Sequence, residues 1–313
     1  MKKIAVLGAS GGMGYSLVNE LVRQGFEVTA FARNKKKLER LFGGVREIDI
    51  KTGDAFKEED ILQACKGAEV IFHTVSVPYS DWTDGHPAIM RHAVQAAKIE
   101  QAKLIIIDNI YAYGRQYSKK VTENAQKNPH TKKGKIRLSL ENMVREAGIP
   151  YMILHFPDYY GPNAENSLLH QTLKNVMANK RAIFIGDMEI KREFIYTPDG
   201  AKAAVTLILN EEAYGQNWNI PGAGTISGNE IISLLKTEAG YSRPVMKIGK
   251  RAIWFMGLFN RNMKEVREMM YLNEQPVILS GEKYEQKAGP LPSTSYKRGI
   301  SETLAFMARS EHS

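Results

Sequence analysis

Short apolar runs separated by amphipathic stretches dominate the first half of the chain. Ile4-Ala5-Val6-Leu7 is apolar at every position and stops at a glycine, the pattern of a strand buried on both faces of a parallel sheet. Leu17, Val18, Leu21 and Val22 then recur at helical spacing up to Gly25, and residues 28–31 form a second apolar run. The same alternation predicts strands at 45–48, 70–72 and 104–107, with helices at 57–64 and 88–98. After a basic, turn-rich segment, residues 136–147 have helical spacing, and 151–156, opened by Pro150, read as a further strand. Strands regularly separated by helices imply a doubly wound parallel sheet, an α/β fold. Beyond Gly161-Pro162 the pattern loosens into helices at 168–178, 200–209 and 229–239, which predicts a smaller C-terminal α+β cap. The expected division is 1–160 for the sheet domain, with segments near 195–222 returning to it, and 161–313 mainly for the cap.

Between the first strand and its helix lies Gly8-Ala9-Ser10-Gly11-Gly12-Met13-Gly14, with glycines spaced G-x-x-G-x-x-G. Glycine there permits a tight turn and lets the backbone approach a pyrophosphate, while the amides at the helix N-terminus face its negative charge. Gly8, Ser10, Gly11, Gly12, Met13 and Gly14 are therefore candidate cofactor contacts. About 20 residues further on, an Asp or Glu would hold the adenosine ribose of NAD. Arg33 stands there instead, with Lys36 and Lys37 in the next turn, a set that suits the 2′-phosphate of NADP and places NADP ahead of NAD. Asp54, in Gly53-Asp54-Ala55, either approaches the adenine or serves as a turn carboxylate.

Charge and composition narrow the partners. The 313 residues carry 43 basic and 34 acidic side chains, a net +9, and 43% are hydrophobic, so the chain is long and apolar enough to bury a full core. The excess is concentrated: Arg33, Lys35, Lys36, Lys37 and Arg40 stand against Glu39 alone, and eight basic residues between 115 and 137 stand against Glu123 alone. No aromatic-interleaved stripe or nucleic-acid motif accompanies them, so a small anionic substrate is expected and nucleic acid is not. Cys65 is the single cysteine, which rules out an internal disulfide and suits a reducing compartment. The glycines at 8–14 break the first apolar run, and Asn19 and Glu20 stand where a cleavage region would lie. No secretory signal or membrane span is expected, and the cytoplasm is the default location. His86 and His92 form no helical i, i+4 pair, so no metal is expected. Oligomeric state is left open.

Several segments together resemble the short-chain dehydrogenase/reductase superfamily, specifically its extended branch of NAD-dependent epimerase/dehydratase-like proteins. They are the glycine loop, Phe72-His73-Thr74, Asp108-Asn109-Ile110-Tyr111-Ala112-Tyr113-Gly114, Asp158-Tyr159-Tyr160-Gly161-Pro162 and Arg192-Glu193-Phe194-Ile195-Tyr196. The resemblance implies a Rossmann-type domain with a substrate-binding cap. It also implies hydride transfer at a nicotinamide, assisted by a tyrosine, a lysine four residues later and a serine or threonine. Thr131-Lys132-Lys133-Gly134-Lys135 stands where Tyr-x-x-x-Lys is expected, so Lys135 is retained and the tyrosine is not; Asn109 takes the serine position. Asn109, Lys135, Tyr111 and Asp108 are the catalytic candidates, Lys135 and His73 also border the cofactor, and Tyr79, Trp82, Tyr113 and Tyr160 are candidate substrate contacts. The expected activity is an oxidoreductase acting on a small carbonyl or hydroxyl compound. The alternatives are a nucleotide-sugar epimerase or dehydratase, and a non-catalytic NADP(H)-sensing protein.

Overall fold

A computed structural model describes residues 2–256 and 265–310. Its largest element is a seven-stranded sheet in the order β10-β6-β5-β4-β1-β2-β3, every pairing parallel. The strands are β1 (Lys3–Leu7), β2 (Glu27–Ala32), β3 (Ile48–Thr52), β4 (Val70–His73), β5 (Lys103–Asn109), β6 (Tyr151–Phe156) and β10 (Gln216–Asn219). Helices α1 (Gly12–Arg23), α2 (Lys35–Phe42), α3 (Glu58–Cys65), α4 (Trp82–Ile99) and α5 (Lys132–Arg145) connect them. Two apolar cores lie on opposite faces of the sheet: Ala5, Leu7, Ile71, Leu104 and Ile106 belong to one, Ile4, Val6, Phe72, Ile105 and Ile107 to the other. That division follows from the side-chain period of two in strands covered on both sides.

The central strands fall where the apolar runs predict them. The edge strand does not: β3 occupies 48–52 rather than 45–48, because Ile48-Asp49-Ile50-Lys51-Thr52 lies at the rim, where one face is wet and alternation replaces a continuous run. Helix α4 starts at Trp82, ahead of the expected 88, and takes in Pro87 near its beginning. In the second half, α7 (Thr197–Ile208) packs against α1, while β10 extends the large sheet beside β6. The remaining segments make two small sheets, β7 (Asp158–Tyr160) with β9 (Arg192–Tyr196) and β11 (Thr225–Ile226), and β8 (Ala182–Ile185) with β12 (Val245–Ile248). These surround a third apolar core with α6 (His170–Met177), α8 (Gly228–Ala239) and the C-terminal helix Tyr296–Ser310.

Among the described residues no helix is long and apolar enough to cross a membrane, and no group of three or more His, Cys, Asp or Glu could hold a metal ion.

Candidate functional site

The glycine loop joins the carboxyl end of β1 to α1. Gly8 has φ +90°, and a Cβ on it would lie 2.7 Å from Thr74 Oγ1, itself fixed by a hydrogen bond to Leu7 O (2.8 Å). A side chain is therefore excluded by both conformation and space. Gly11 is the N-cap of α1; it supplies no side chain to the first amides of the helix, and the first turn carries no acidic residue. Beside Gly11 the nearest obstruction to a Cβ is Gly8 O at 3.5 Å. A helix N-terminus with no side-chain cap, its positive end and the room beside Gly11 fit the pyrophosphate of a dinucleotide. Gly8, Ser10, Gly11 and Gly12 are half-buried on the loop, whereas Met13 and Gly14 face inward, Met13 into the core shared with β1 and β6.

At the end of β2, Arg33 is exposed and Asn34 caps α2 by accepting the Lys37 amide (3.0 Å). Asp54 is bound up in its own turn: its carboxylate accepts the Phe56 amide and its amide donates to Asp60.

A second group of side chains meets at the carboxyl ends of β4 and β5. The Tyr79 and Tyr111 hydroxyls are hydrogen-bonded at 2.9 Å, and the Trp82 ring lies 5.1 Å from Tyr79 and 6.0 Å from Tyr111. Burial raises the pKa of both phenols, that of Tyr111 well above its ordinary value, so both are proton carriers at neutral pH. Arg137 reaches into this cluster from α5, its guanidinium 4.5 Å from the Trp82 ring centre and its Nε 3.4 Å from Asp108 Oδ1. Asp108 is 2% exposed. Burial lifts its carboxyl above the usual range while Arg137 pulls it back, and Oδ1 also accepts the Asn109 amide. Asp108 Oδ2 and Arg137 Nε make no hydrogen bond. Two buried histidines line the same space. Burial, assisted by the Arg137 charge, lowers His73 to about 3 and pulls His86 below its ordinary value, so both are neutral.

Several expected contacts lie elsewhere. Thr131 is the N-cap of α5, its hydroxyl accepting the Gly134 amide, and Lys135 is exposed on the outer side of that helix. The inward i, i+4 pair is instead Lys133 and Arg137, a slip of two residues from the sequence-based placement. Lys133 is 1% exposed, sits 4.9 Å over the Tyr79 ring, and pairs with Glu265 (2.6 Å) and Glu268 (3.0 Å). The Asn109 side chain accepts the Tyr111 amide and so shapes the turn that presents Tyr111. Tyr113 points away, to Asn219 Oδ1 (2.7 Å), and Tyr160 stacks on Tyr296 in the core of the second half.

The sequence offers no reason to assign a role to Lys133, Arg137, Asp158 or Arg192 individually. Asp158, at the start of β7, has a carboxyl raised by burial and partly restored by the charge of Arg192, which is hydrogen-bonded to Asn273. Helical periodicity gave no signal for the α5 pair, because that buried face is itself charged: Lys133, Arg137 and Glu141 recur every four residues.

A parallel sheet in this strand order, with a glycine-rich turn opening α1 and a polar cluster at the strand ends, defines a Rossmann-type, dinucleotide-binding fold. The chain belongs to the NAD(P)H-binding family, whose profile matches residues 8–183. It is 27% identical over 263 residues to the uncharacterised UDP-glucose epimerase YtcB of Bacillus subtilis (strain 168), covering 76% of this chain and 82% of that one. It is also 24% identical over 260 residues to the photosystem II assembly factor Ycf39 of Cyanidium caldarium, covering 81% and 76%. Among solved structures it resembles UDP-glucuronic acid 4-epimerase from Bacillus cereus in complex with NAD, with TM-score 0.81 at 19% identity over 98% of this chain and 99% of that one. It likewise resembles dTDP-glucose 4,6-dehydratase from Bacillus anthracis strain Ames in complex with NAD, with TM-score 0.82 at 15% identity over 100% and 98%.

Proposed function

We propose that the protein binds NADP(H) and performs redox chemistry at a carbinol or carbonyl carbon of an anionic, nucleotide-sugar-like substrate, as an epimerase, dehydratase or reductase. The observation that carries this reading is the Tyr79–Tyr111 hydroxyl pair, flanked by Lys133 and Arg137, at the strand ends that follow the glycine loop. YtcB, the 4-epimerase and the 4,6-dehydratase named above carry nucleotide-sugar names, which favours that class over an unrelated carbonyl compound, whereas Ycf39 does not. For the cofactor, Arg33 and Lys37 favour a 2′-phosphate, and β2 ends without a carboxylate that would hold a free ribose hydroxyl.

When bound, the nicotinamide supplies or accepts the hydride. Gly8, Ser10, Gly11 and Gly12 would hold the pyrophosphate of the dinucleotide, Arg33 would meet its adenosine end, and His73 and Thr74 would border it between loop and cluster. Tyr111 donates the proton to the substrate oxygen as negative charge develops there, the Tyr79 hydroxyl passes its own proton to Tyr111 across their hydrogen bond, and Tyr79 recovers one from solvent. Arg137, held by Asp108 and Trp82, supplies fixed positive charge beside that oxygen. Lys133, held by Glu265 and Glu268, fixes positive charge over the Tyr79 ring, and Arg192 meets the anionic part of the substrate. Asp108 acts on the reaction through Arg137, Asn109 positions Tyr111, and Lys135 has no part in it.

A second reading has its own support. Lys133 and Arg137 hold the inward pair of α5, and Arg137 is committed to Asp108, which suits a protein that binds NADP(H) and reports on it without turnover. Incubation with UDP- and dTDP-sugars plus NADPH deuterated at its transferable carbon separates the readings. Label in a product identifies a reductase; altered sugar without net NADPH consumption identifies an epimerase or dehydratase. Nucleotide binding with unchanged sugars removes the catalytic reading and leaves the binding protein.

A further inference from the structure

The mouth of the glycine loop is crossed by a strap from the second half of the chain. Asn163, 6% exposed and in a left-handed conformation (φ +57°), donates from Nδ2 to Ser10 O (3.0 Å) and Gly11 O (3.5 Å). Ala164 follows, so close that a Cβ on Gly12 would lie 2.7 Å from its Cα; glycine at 12 is what lets the strap lie down. One residue later, Glu165 extends its carboxylate to Lys37 Nζ at 2.8 Å, with the lysine side chain 20% exposed and the glutamate 51%. The strap therefore ends at the first turn of α2, four residues past Arg33, on the side of the loop where the adenosine ribose of a dinucleotide rests.

We propose that Glu165 sets the nucleotide preference of this protein by competing with a ribose 2′-phosphate for Lys37. The inference rests on the reading that the loop binds a dinucleotide with its ribose toward Arg33. Its chemistry is simple. A 2′-phosphate brings about two negative charges to a place where Lys37 already has an anionic partner. To bind, it displaces Glu165 from Lys37 or accepts a carboxylate as neighbour; a free 2′-hydroxyl meets neither cost. Arg33 pulls toward NADP while Glu165 restrains that pull, and Asn163 fixes the distance over which the restraint acts.

The test measures NADPH and NADH affinities of the full chain by nucleotide fluorescence, with 2′,5′-ADP and ADP as calorimetric fragment probes. Glu165 is a surface residue, so Glu165→Gln keeps the fold. The expected result is a rise of about fivefold in the NADPH-to-NADH affinity ratio, the scale of one exposed ion pair, matched by 2′,5′-ADP over ADP and diminished in high salt. A ratio that stays within about twofold of wild type, or falls, overturns the proposal; a fall would make Glu165 an aligner of Lys37 instead. Arg33→Asp probes the underlying reading separately. If it leaves the ratio unchanged while Glu165→Gln raises it, the role of Arg33 is lost and that of Glu165 stands. If Arg33→Asp alone lowers the ratio, only the Glu165 proposal fails, and a wild-type chain that binds neither nucleotide sinks both.

Discussion

Replacing Arg137 by methionine keeps most of the apolar stem against Trp82 and deletes only the guanidinium, which leaves Asp108 buried without its cation. Breaking a buried pair from one side costs about 3–5 kcal/mol, because the surviving charge is uncompensated. The carboxyl escapes this cost in part by binding a proton. Neutralising a carboxyl of ordinary pKa costs about 4 kcal/mol at pH 7 and about 1.5 kcal/mol at pH 5, at 1.36 kcal/mol per pH unit. Burial already raises Asp108 in the wild-type protein, so the folded state holds this proton more tightly than the unfolded chain. Its contribution to stability is greatest at low pH and falls as pH rises through the folded pKa. Removing Arg137 takes away the charge that holds that pKa down, so the fall extends to higher pH. Urea unfolding followed by far-UV circular dichroism should show Arg137→Met destabilised by about 3–4 kcal/mol at pH 7 and by about 1–2 kcal/mol at pH 5. In the double variant Arg137→Met, Asp108→Asn, the difference from wild type should lose this extra pH dependence and most of the penalty. Equal destabilisation of the single variant at both pH values would refute the argument, as would a double variant no more stable than the single one.

Three further outcomes follow from the geometry. Tyr111→Phe should reduce any turnover about 10²-fold or more while leaving nucleotide affinity intact, read by steady-state kinetics beside fluorescence titration; an unchanged rate removes Tyr111 as proton donor. Lys135→Ala should leave both affinity and rate unchanged, since its side chain is exposed on the outer side of α5, and a loss of rate would restore the sequence-based placement. Glu193 is pushed up to about 7 by burial, against the Leu279 and Gly222 amides that hold its carboxylate. Its contribution to stability therefore falls between about pH 4.5 and 7. Glu193→Gln should gain stability relative to wild type as pH rises from 5 to 8, and a constant offset across that range would contradict the shift.

The fold was legible because its central strands carry short, nearly continuous apolar runs: β1, β2, β4, β5 and β6 are buried on both faces, and their runs stand out in the sequence. The glycine loop was equally readable, since its spacing reflects a steric demand that Gly8 meets at Thr74. The polar cluster was only half legible. Tyr79, Trp82, Asp108 and Tyr111 announce themselves by standing next to strand ends, but nothing in the periodicity of α5 distinguishes its inner from its outer charges. Lys133 and Lys135 are identical in type and two positions apart; one is buried over an aromatic ring and the other is in solvent. Contacts that join distant segments, Lys37 with Glu165 and Lys133 with Glu265 and Glu268, have no local signature at all.

The position of β10 bears on how the chain is made. Sixty-odd residues separate the end of β6 from the end of the strand that pairs with it, and α7, which covers α1, lies within that interval. At about 5–20 residues per second, a ribosome needs roughly 3–12 s to add them. Throughout that interval the nascent sheet presents β6 as an unpaired edge, beside a helix whose apolar side is uncovered, which is the state most prone to wrong pairing. Tyr284 completes the same core from still further along the chain. Synthesis of the nucleotide-binding half is thus finished well before that half can close, and a pause or a truncation between residues 160 and 216 would strand it in its stickiest form.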